Sequence, residues 1–362
     1  MRLRVSRRYV PLLATLFVFV AIFCLGGLQY RAFFSLRVFT NLFTDNAFLG
    51  LCAVGMTFVI LSGGIDLSVG AMVAFSSTLI ASLTQLAHFP PFPAIALVLG
   101  IGLLFGLAQG AVIHFYKAPA FIVTLAGMFL LRGLGFVIDL NAIPVEDPLM
   151  VKLSTLGIAL GEKASLSFSA CVLILAVVAT AAVLGFTKFG RNVYAIGGSE
   201  LSVLLMGIPL ARTKLAIYAL SGFFSAAAGI VFTIYTLSGS ATAAMGLELD
   251  AIAAVVIGGT LLSGGFGFVA GSLIGALIQG VIQTFISFQG TLDVSWTKIF
   301  VGGLLLVFIL LQRVFSQGMK KGGAAATRHA PRLAPGAGTR AGDPAVGSTA
   351  GLGIVDEVRD RS

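Results

Sequence analysis

Charge is what this sequence has least of. Only 10% of its 362 residues are charged, against roughly 25% in a soluble domain. So few solvated groups cannot cover a folded surface, which must face a medium that does not demand them, and a lipid bilayer fits. Cysteine is scarce: Cys24, Cys52 and Cys171 lie far apart in apolar runs, which excludes a disulfide framework and a thiolate metal site. His88, His114 and His329 are isolated, with no HExxH spacing, so no metal centre is expected. No GxxxxGK[ST] string occurs, so any ATP-driven work falls to a partner. GFGFVAG from Gly265 is spaced wrongly for a dinucleotide fingerprint. With no GxSxG and His pair either, the chain reads as no enzyme and without a cofactor of its own.

What is abundant is apolar sequence: 58% of residues are hydrophobic and the mean hydropathy is +1.04. Apolar windows fall near 10–28, 40–61, 67–87, 94–114, 118–138, 166–186, 215–236, 249–262, 266–287 and 297–313. They predict an all-α, polytopic transmembrane helical bundle of about ten spans. Lys and Arg outnumber Asp and Glu by 23 to 14, an excess that reads as topology signals and headgroup contacts rather than nucleic-acid binding. Arg2, Arg4, Arg7 and Arg8 precede the first span; Lys188, Arg191, Arg212 and Lys214 follow the sixth; Arg313, Lys320 and Lys321 follow the last. An even number of spans places all three clusters on one face, which the positive-inside rule makes cytoplasmic, with both termini. The basic start is no cleaved signal peptide, because no A-x-A site follows it. Residues 1–315 form the expected membrane domain, and the Gly, Ala, Pro and Arg-rich residues 316–362 an expected disordered basic cytoplasmic tail.

The 45 glycines exceed the usual share of about 7% and sit inside apolar segments. Gly102, Gly106 and Gly110, and Gly271 with Gly275, follow a small-xxx-small spacing that lets helix backbones approach. LSGGIDLSVGA from Leu61 is echoed by LSGGFGFVAGS from Leu262, with Gly70 matching Gly271. Each copy interrupts an apolar stretch near the cytoplasmic face with the same orientation, which predicts a parallel internal repeat. Paired Gly-broken segments point to a transporter, since unwound backbone at depth must line a cavity or pack on protein; a tight interhelical turn is the plainer reading of either copy alone. Asp66 is expected as a helix N-cap, and Arg132 as snorkelling outward or pairing with Asp139, with a pore-lining role second. A path for a polar solute draws on Asn46, Thr57, Ser62, Ser68, Gln109, Thr124, Ser263, Gln279, Gln283 and Thr284, for which an interhelical hydrogen bond is the commoner use of a polar residue in a span, together with Asp66 and Arg132.

The loop 187–214 is short and patterned. Ser199 is placed to cap a helix, Glu200 lies in its first turn, Leu201, Leu204, Leu205 and Ile208 have helical spacing, and Gly207 with Pro209 end it. Such a helix lies in the headgroup layer or docks in a partner's groove.

This loop, GGIDLSVGAMVAF from Gly63 and FIVTLAGMFLLRG from Phe121 resemble the permeases of bacterial ABC sugar importers of the ribose and galactose type, over nearly the whole chain to Arg313. TDNAFLG at Thr44, LELDAIAAVVIGGTLLSGG from Leu247 and WTKI from Trp296 look most like the galactofuranose-importer permease. The resemblance implies a permease subunit in the bacterial inner membrane that receives a monosaccharide from a periplasmic binding protein. A cytoplasmic ATPase, which uses ATP and Mg, would drive it, and a second permease chain, identical or different, would complete the pore. It makes Gly190, Arg191, Asn192, Tyr194, Gly197, Gly198, Glu200 and Gly207 the ATPase-coupling element, and Glu248 and Asp250 candidates for docking the binding protein. A self-sufficient secondary transporter is the alternative, and the scarcity of carboxylates within the spans counts against it.

Overall fold

The computed structural model describes residues 10–161, 164–291, 293 and 295–327, with side chains as far as Leu311. In hydrocarbon every backbone N–H and C=O needs a partner within its own segment, and the long apolar runs answer as helices. These are α1 (Val10–Gln29), α2 (Leu36–Asp45), α3 (Ala47–Leu61), α4 (Val69–Ala81, continued by a π-helical turn to Leu86), α5 (Pro91–Phe115), α6 (Ala120–Ile138), α7 (Pro148–Thr155), α8 (Phe168–Phe186), α9 (Lys188–Gly198), α10 (Glu200–Leu205), α11 (Leu210–Thr236), α12 (Leu247–Ile257), α13 (Val269–Gln289) and α14 (Ser295–Thr327).

Among the described residues seven helices are long and apolar enough to cross a membrane alone, and α2 with α3, bent by 56° at Asn46, make an eighth. Ten were expected. The 249–262 window yields only the 11 residues of α12, about 16 Å at 1.5 Å per residue, because Gly258 and Gly259 end it. The apolar part of α14, Ser295–Leu311, is also shorter than a full span. α14 runs on to Thr327, so 316–327 are helical where a disordered tail was expected; the rest of that tail, 328–362, lies outside the described residues.

The all-α expectation misses four short strands. β1 (Ile143–Pro144) pairs antiparallel with β4 (Ser238–Gly239), and β2 (Gly157–Gly161) pairs with β3 (Ala164–Ser167). The β2–β3 hairpin is tied to α2 by the hydroxyls of Ser167 and Thr44, 2.9 Å apart.

α3 is the axis of the bundle. All of its residues but Phe48 are buried, in one apolar cluster with residues of α8, α11, α12 and α13. Thr57 of α3 meets Ser272 of α13, hydroxyl to hydroxyl, at 2.7 Å. The glycine stripe of α5 is a packing face: a Cβ at Gly106 would overlap the Tyr218 carbonyl, and one at Gly102 would overlap Gly222 and Ala226, all on α11. Gly271 and Gly275 of α13 seat in the same way on Gly258 and Ala254.

Candidate functional site

The chain breaks between α3 and α4 and again between α12 and α13, and the two breaks meet. Gly265 N donates to Leu61 O at 2.8 Å, and the backbones of Gly264 and Gly63 are in contact. Helix α9 lies against the joint. A Cβ at Gly197 would overlap both the Leu61 carbonyl and the Gly265 amide, so only glycine lets α9 sit this close. Tyr194 Oη, one turn earlier, donates to Gly267 O at 2.9 Å, and Arg191 with Tyr194 lines a cleft of about 350 Å³ against Gly265, Phe266 and Gly267.

Each end of α9 has a local reason. Thr187 caps it by accepting from Gly190 N at 3.1 Å, and Gly190 lies where a Cβ would strike the last turn of α8. Ser199 then caps α10, accepting from Ser202 N at 3.2 Å. Glu200 reaches Lys214 of α11 with both carboxylate oxygens at 2.8 Å, which braces α10 against α11. Val203 is buried with Ile196 and Leu210, whereas Leu201, Leu204, Leu205 and Met206 are exposed. Of the expected apolar stripe, Leu201, Leu204 and Leu205 are turned away from the chain's own core, whereas Ile208, beyond the end of α10, packs against the Ile196, Val203 and Leu210 cluster. The backbone of Gly198 also faces Gly265, although a Cβ at Gly198 itself would point into open space; Asn192 lies on α9 between Arg191 and Tyr194, and Gly207 closes α10 at φ +68°.

The first break is locked from within by Asp66, which is 2% exposed. Its Oδ1 accepts from Ser68 N at 2.9 Å and Ser68 Oγ at 2.6 Å; its Oδ2 accepts from Ser221 Oγ of α11 at 2.7 Å. Gln109 Oε1 of α5 lies 3.2 Å from the same Ser68 hydroxyl, and Thr124 of α6 reaches Ile65 O at 3.5 Å. Asp66 is not the helix cap the sequence suggests: Ser68 holds that position, and Asp66 makes a turn before it that ties the break to α11. A buried carboxylate with three donors is satisfied without a cation.

At the opposite end of α3 lies a cavity of about 460 Å³ between α2, α3, α11, α12, α13 and α14. Asn46, Asp250, Gln279 and Gln283 converge there, with Asp45, Tyr235, Thr284, Ser287, Thr297 and Lys298, and with the rings of Phe48 and Phe288. Asn46 is wedged at the bend, donating to Leu42 O at 2.9 Å, and fits because Gly280 opposite has no Cβ to overlap it. Gln279 donates to Asp250 O at 2.9 Å. Tyr235 donates to Asp45 at 3.2 Å, and Lys298 forms an ion pair with Asp250.

The expected path residues thus divide. Asn46, Gln279 and Gln283 share the cavity; Asp66 and Ser68 form the buried lock; Ser263 lies in the second break. Ser62 bonds back to Val59 O at 2.8 Å within its own helix end. Arg132 neither snorkels free nor pairs with Asp139: its guanidinium donates to the carbonyls of Ala241 and Ala243, at 2.8 and 2.7 Å. Glu248 turns inward, with Oε2 buried against Gly70, while Asp250 belongs to the cavity. Asp45, Tyr235, Ser221 and Lys298 complete these sites and carry no local sequence signal, since chain folding alone brings them in.

The chain matches over residues 38–310 the family described as branched-chain amino acid transport system / permease component. It is 50% identical to the inner membrane ABC transporter permease protein YjfF of Escherichia coli K12, over 85% of this chain and 93% of that protein. It is 39% identical to the fructose import permease protein FruG of Bifidobacterium longum, over 86% of this chain and 92% of that protein. It is 42% identical to the ribose import permease protein RbsC of Bacillus subtilis, over 75% and 84%. No solved structure matches it.

Proposed function

The chain belongs to the branched-chain amino acid transport system / permease component family, and from that premise we propose that it is the membrane permease subunit of an ATP-driven importer of a monosaccharide. The observation that carries the reading is the single joint at which α9 touches both broken segments, at the far end of α3 from a polar cavity. A push on α9 from a cytoplasmic ATPase would reach both breaks at once, and through α3 and α13 the walls of the cavity. The exposed Leu201, Leu204, Leu205 and Met206 suit insertion into an apolar groove of that ATPase.

The sugar assignment leans on the relatives named for ribose and fructose import and on a cavity that mixes carboxamides, carboxylates and aromatic rings. We assign galactofuranose as the cargo on the motifs at Thr44, Leu247 and Trp296, and a second, different permease chain as the other half of the pore. In this reading the short helices α12 and α14 bring the passes to about ten, in the bacterial inner membrane, with both termini and α9 cytoplasmic. A periplasmic binding protein docks at the opposite face, without Glu248, whose carboxylate is turned inward.

The test is uptake of labelled D-galactose, which supplies both its furanose and pyranose rings, D-ribose and D-fructose by proteoliposomes that hold this chain, its partner permease and its ATPase, with the binding protein outside. Vanadate-sensitive uptake of at least one sugar supports the proposal. Uptake that persists without ATP and collapses with the proton gradient would establish the secondary transporter instead.

A further inference from the structure

The cavity walls are held together by two side-chain ties, each between different helices. Tyr235 of α11 donates to Asp45 at the end of α2, and Lys298 of α14 is paired with Asp250 of α12. One partner of each is exposed: Tyr235 is 44% exposed, and the Lys298 side chain 60% against 20% for Asp250. Contacts with one exposed partner exchange more readily than fully buried ones. The two carboxylates are also the strongest hydroxyl acceptors on the wall. Gln283 stands exposed beside them, with a donor and an acceptor in one group. Phe48 and Phe288 supply flat apolar faces. Thr297, which also lines the cavity, has its hydroxyl buried with no hydrogen-bond partner among the described residues. The volume, about 460 Å³, lies within the roughly 300–1,000 Å³ of small-molecule sites.

Resting on the importer reading above, we propose that this cavity is a sugar-selecting site within the permease itself, in which the hydroxyls of a monosaccharide replace Tyr235 on Asp45 and Lys298 on Asp250. A carboxylate accepts two adjacent hydroxyls at once, so Asp45 and Asp250 read the relative orientation of hydroxyl pairs on the ring, and Gln283 reads a third position. Occupation releases α2 from α11 and α12 from α14, so the solute that fits is the one that frees the walls to move. Selection therefore occurs twice, once in the binding protein and once here, and a ligand lacking paired hydroxyls leaves both ties closed.

The test uses the complete importer in proteoliposomes with unaltered binding protein. Initial rates for labelled D-galactose, whose furanose and pyranose rings interconvert in water, D-ribose and D-fructose are compared for the wild type and for Asp45→Asn, Asp250→Asn, Gln283→Ala and Tyr235→Phe. The expected result is a change of tenfold or more in the ratio of rates between two sugars for at least one carboxylate variant. Tyr235→Phe removes one exposed hydroxyl and raises ATPase activity without sugar threefold or more. Rate ratios within twofold of wild type in all four variants overturn the selecting site even where absolute rates fall. Unchanged basal ATPase in Tyr235→Phe overturns the release of the ties. A wild-type complex that moves none of these sugars refutes the importer reading, and this site with it.

Discussion

The amide of Gly265 donates to the carbonyl of Leu61 across 2.8 Å, so the last residue of α3 is bonded directly to the break that follows α12. Two places where helices end would ordinarily leave orphan carbonyls in a poorly solvated layer. Here one break satisfies the other, and Tyr194 of α9 satisfies Gly267. Three segments distant in sequence thereby share one small hydrogen-bonded joint, and movement of any one strains the other two.

The narrowest part of the joint is Gly197. A methyl group there would overlap Leu61 O and Gly265 N, and backbone atoms cannot yield as a side-chain tip can. Gly197→Ala is expected to cost about 1–3 kcal/mol, the usual range for overpacking, and to reduce ATP-driven uptake sharply while the protein still inserts. Gly198, where an added Cβ would meet no atom within 4 Å, is the internal comparison. Melting in detergent should show a lowered midpoint for Gly197→Ala and none for Gly198→Ala; equal shifts would mean that the close approach is unimportant.

The lock on the first break depends on donors to Asp66. Removing the hydroxyl of Ser221 strips Oδ2 of its partner inside a buried site, at an expected cost of about 1–3 kcal/mol. Replacing Asp66 by Ala as well removes the unsatisfied charge, so the double variant should be less destabilised than the sum of the single changes. A thermal double-mutant cycle measures this directly, and strict additivity would show that the two side chains do not interact.

The apolar runs made the long helices legible, because in lipid a 20-residue apolar segment has few alternatives to a helix. The LSGG strings marked both breaks for the same reason: glycine and serine interrupt otherwise continuous apolar sequence. The bend at Asn46 was invisible, since it rests on Gly280 opposite lacking a side chain. The hairpin of β2 and β3 was missed because its five first-strand residues are all exposed and show no buried alternation. The cavity was half legible. Polar residues within α13 stand out against their apolar neighbours, but Asp45, Tyr235 and Lys298 lie at helix ends, where polar residues are ordinary, and only packing unites them.

Arg132 organises a stretch that has little regular structure. Its guanidinium holds two carbonyls, those of Ala241 and Ala243, in the turns between β4 and α12. Each charge-assisted bond contributes about 1.5–3 kcal/mol, so Arg132→Met should raise amide hydrogen exchange across residues 240–246 by tenfold or more. Arg132→Lys, with one compact ammonium in place of a fork, should fall between. Unchanged protection in both variants would show that the loop is held by other contacts.

Glu200 and Lys214 provide the clearest separation of stability from coupling. Both carboxylate oxygens of Glu200 lie 2.8 Å from Lys214 Nζ, with Glu200 49% and Lys214 18% exposed, and a pair open to solvent on one side contributes about 1 kcal/mol. Glu200→Lys should therefore scarcely alter melting. It should nevertheless disturb α10, because two like charges now face each other where the helix was braced, and the exposed Leu204 and Leu205 would no longer be presented in one orientation. Uptake is expected to fall fivefold or more in Glu200→Lys, and to recover at least half its wild-type rate in Glu200→Lys combined with Lys214→Glu, which restores the pair in reverse. If the reversed pair fails to recover while melting stays normal, Glu200 is needed for its own contacts with another protein and not for bracing α10 on α11.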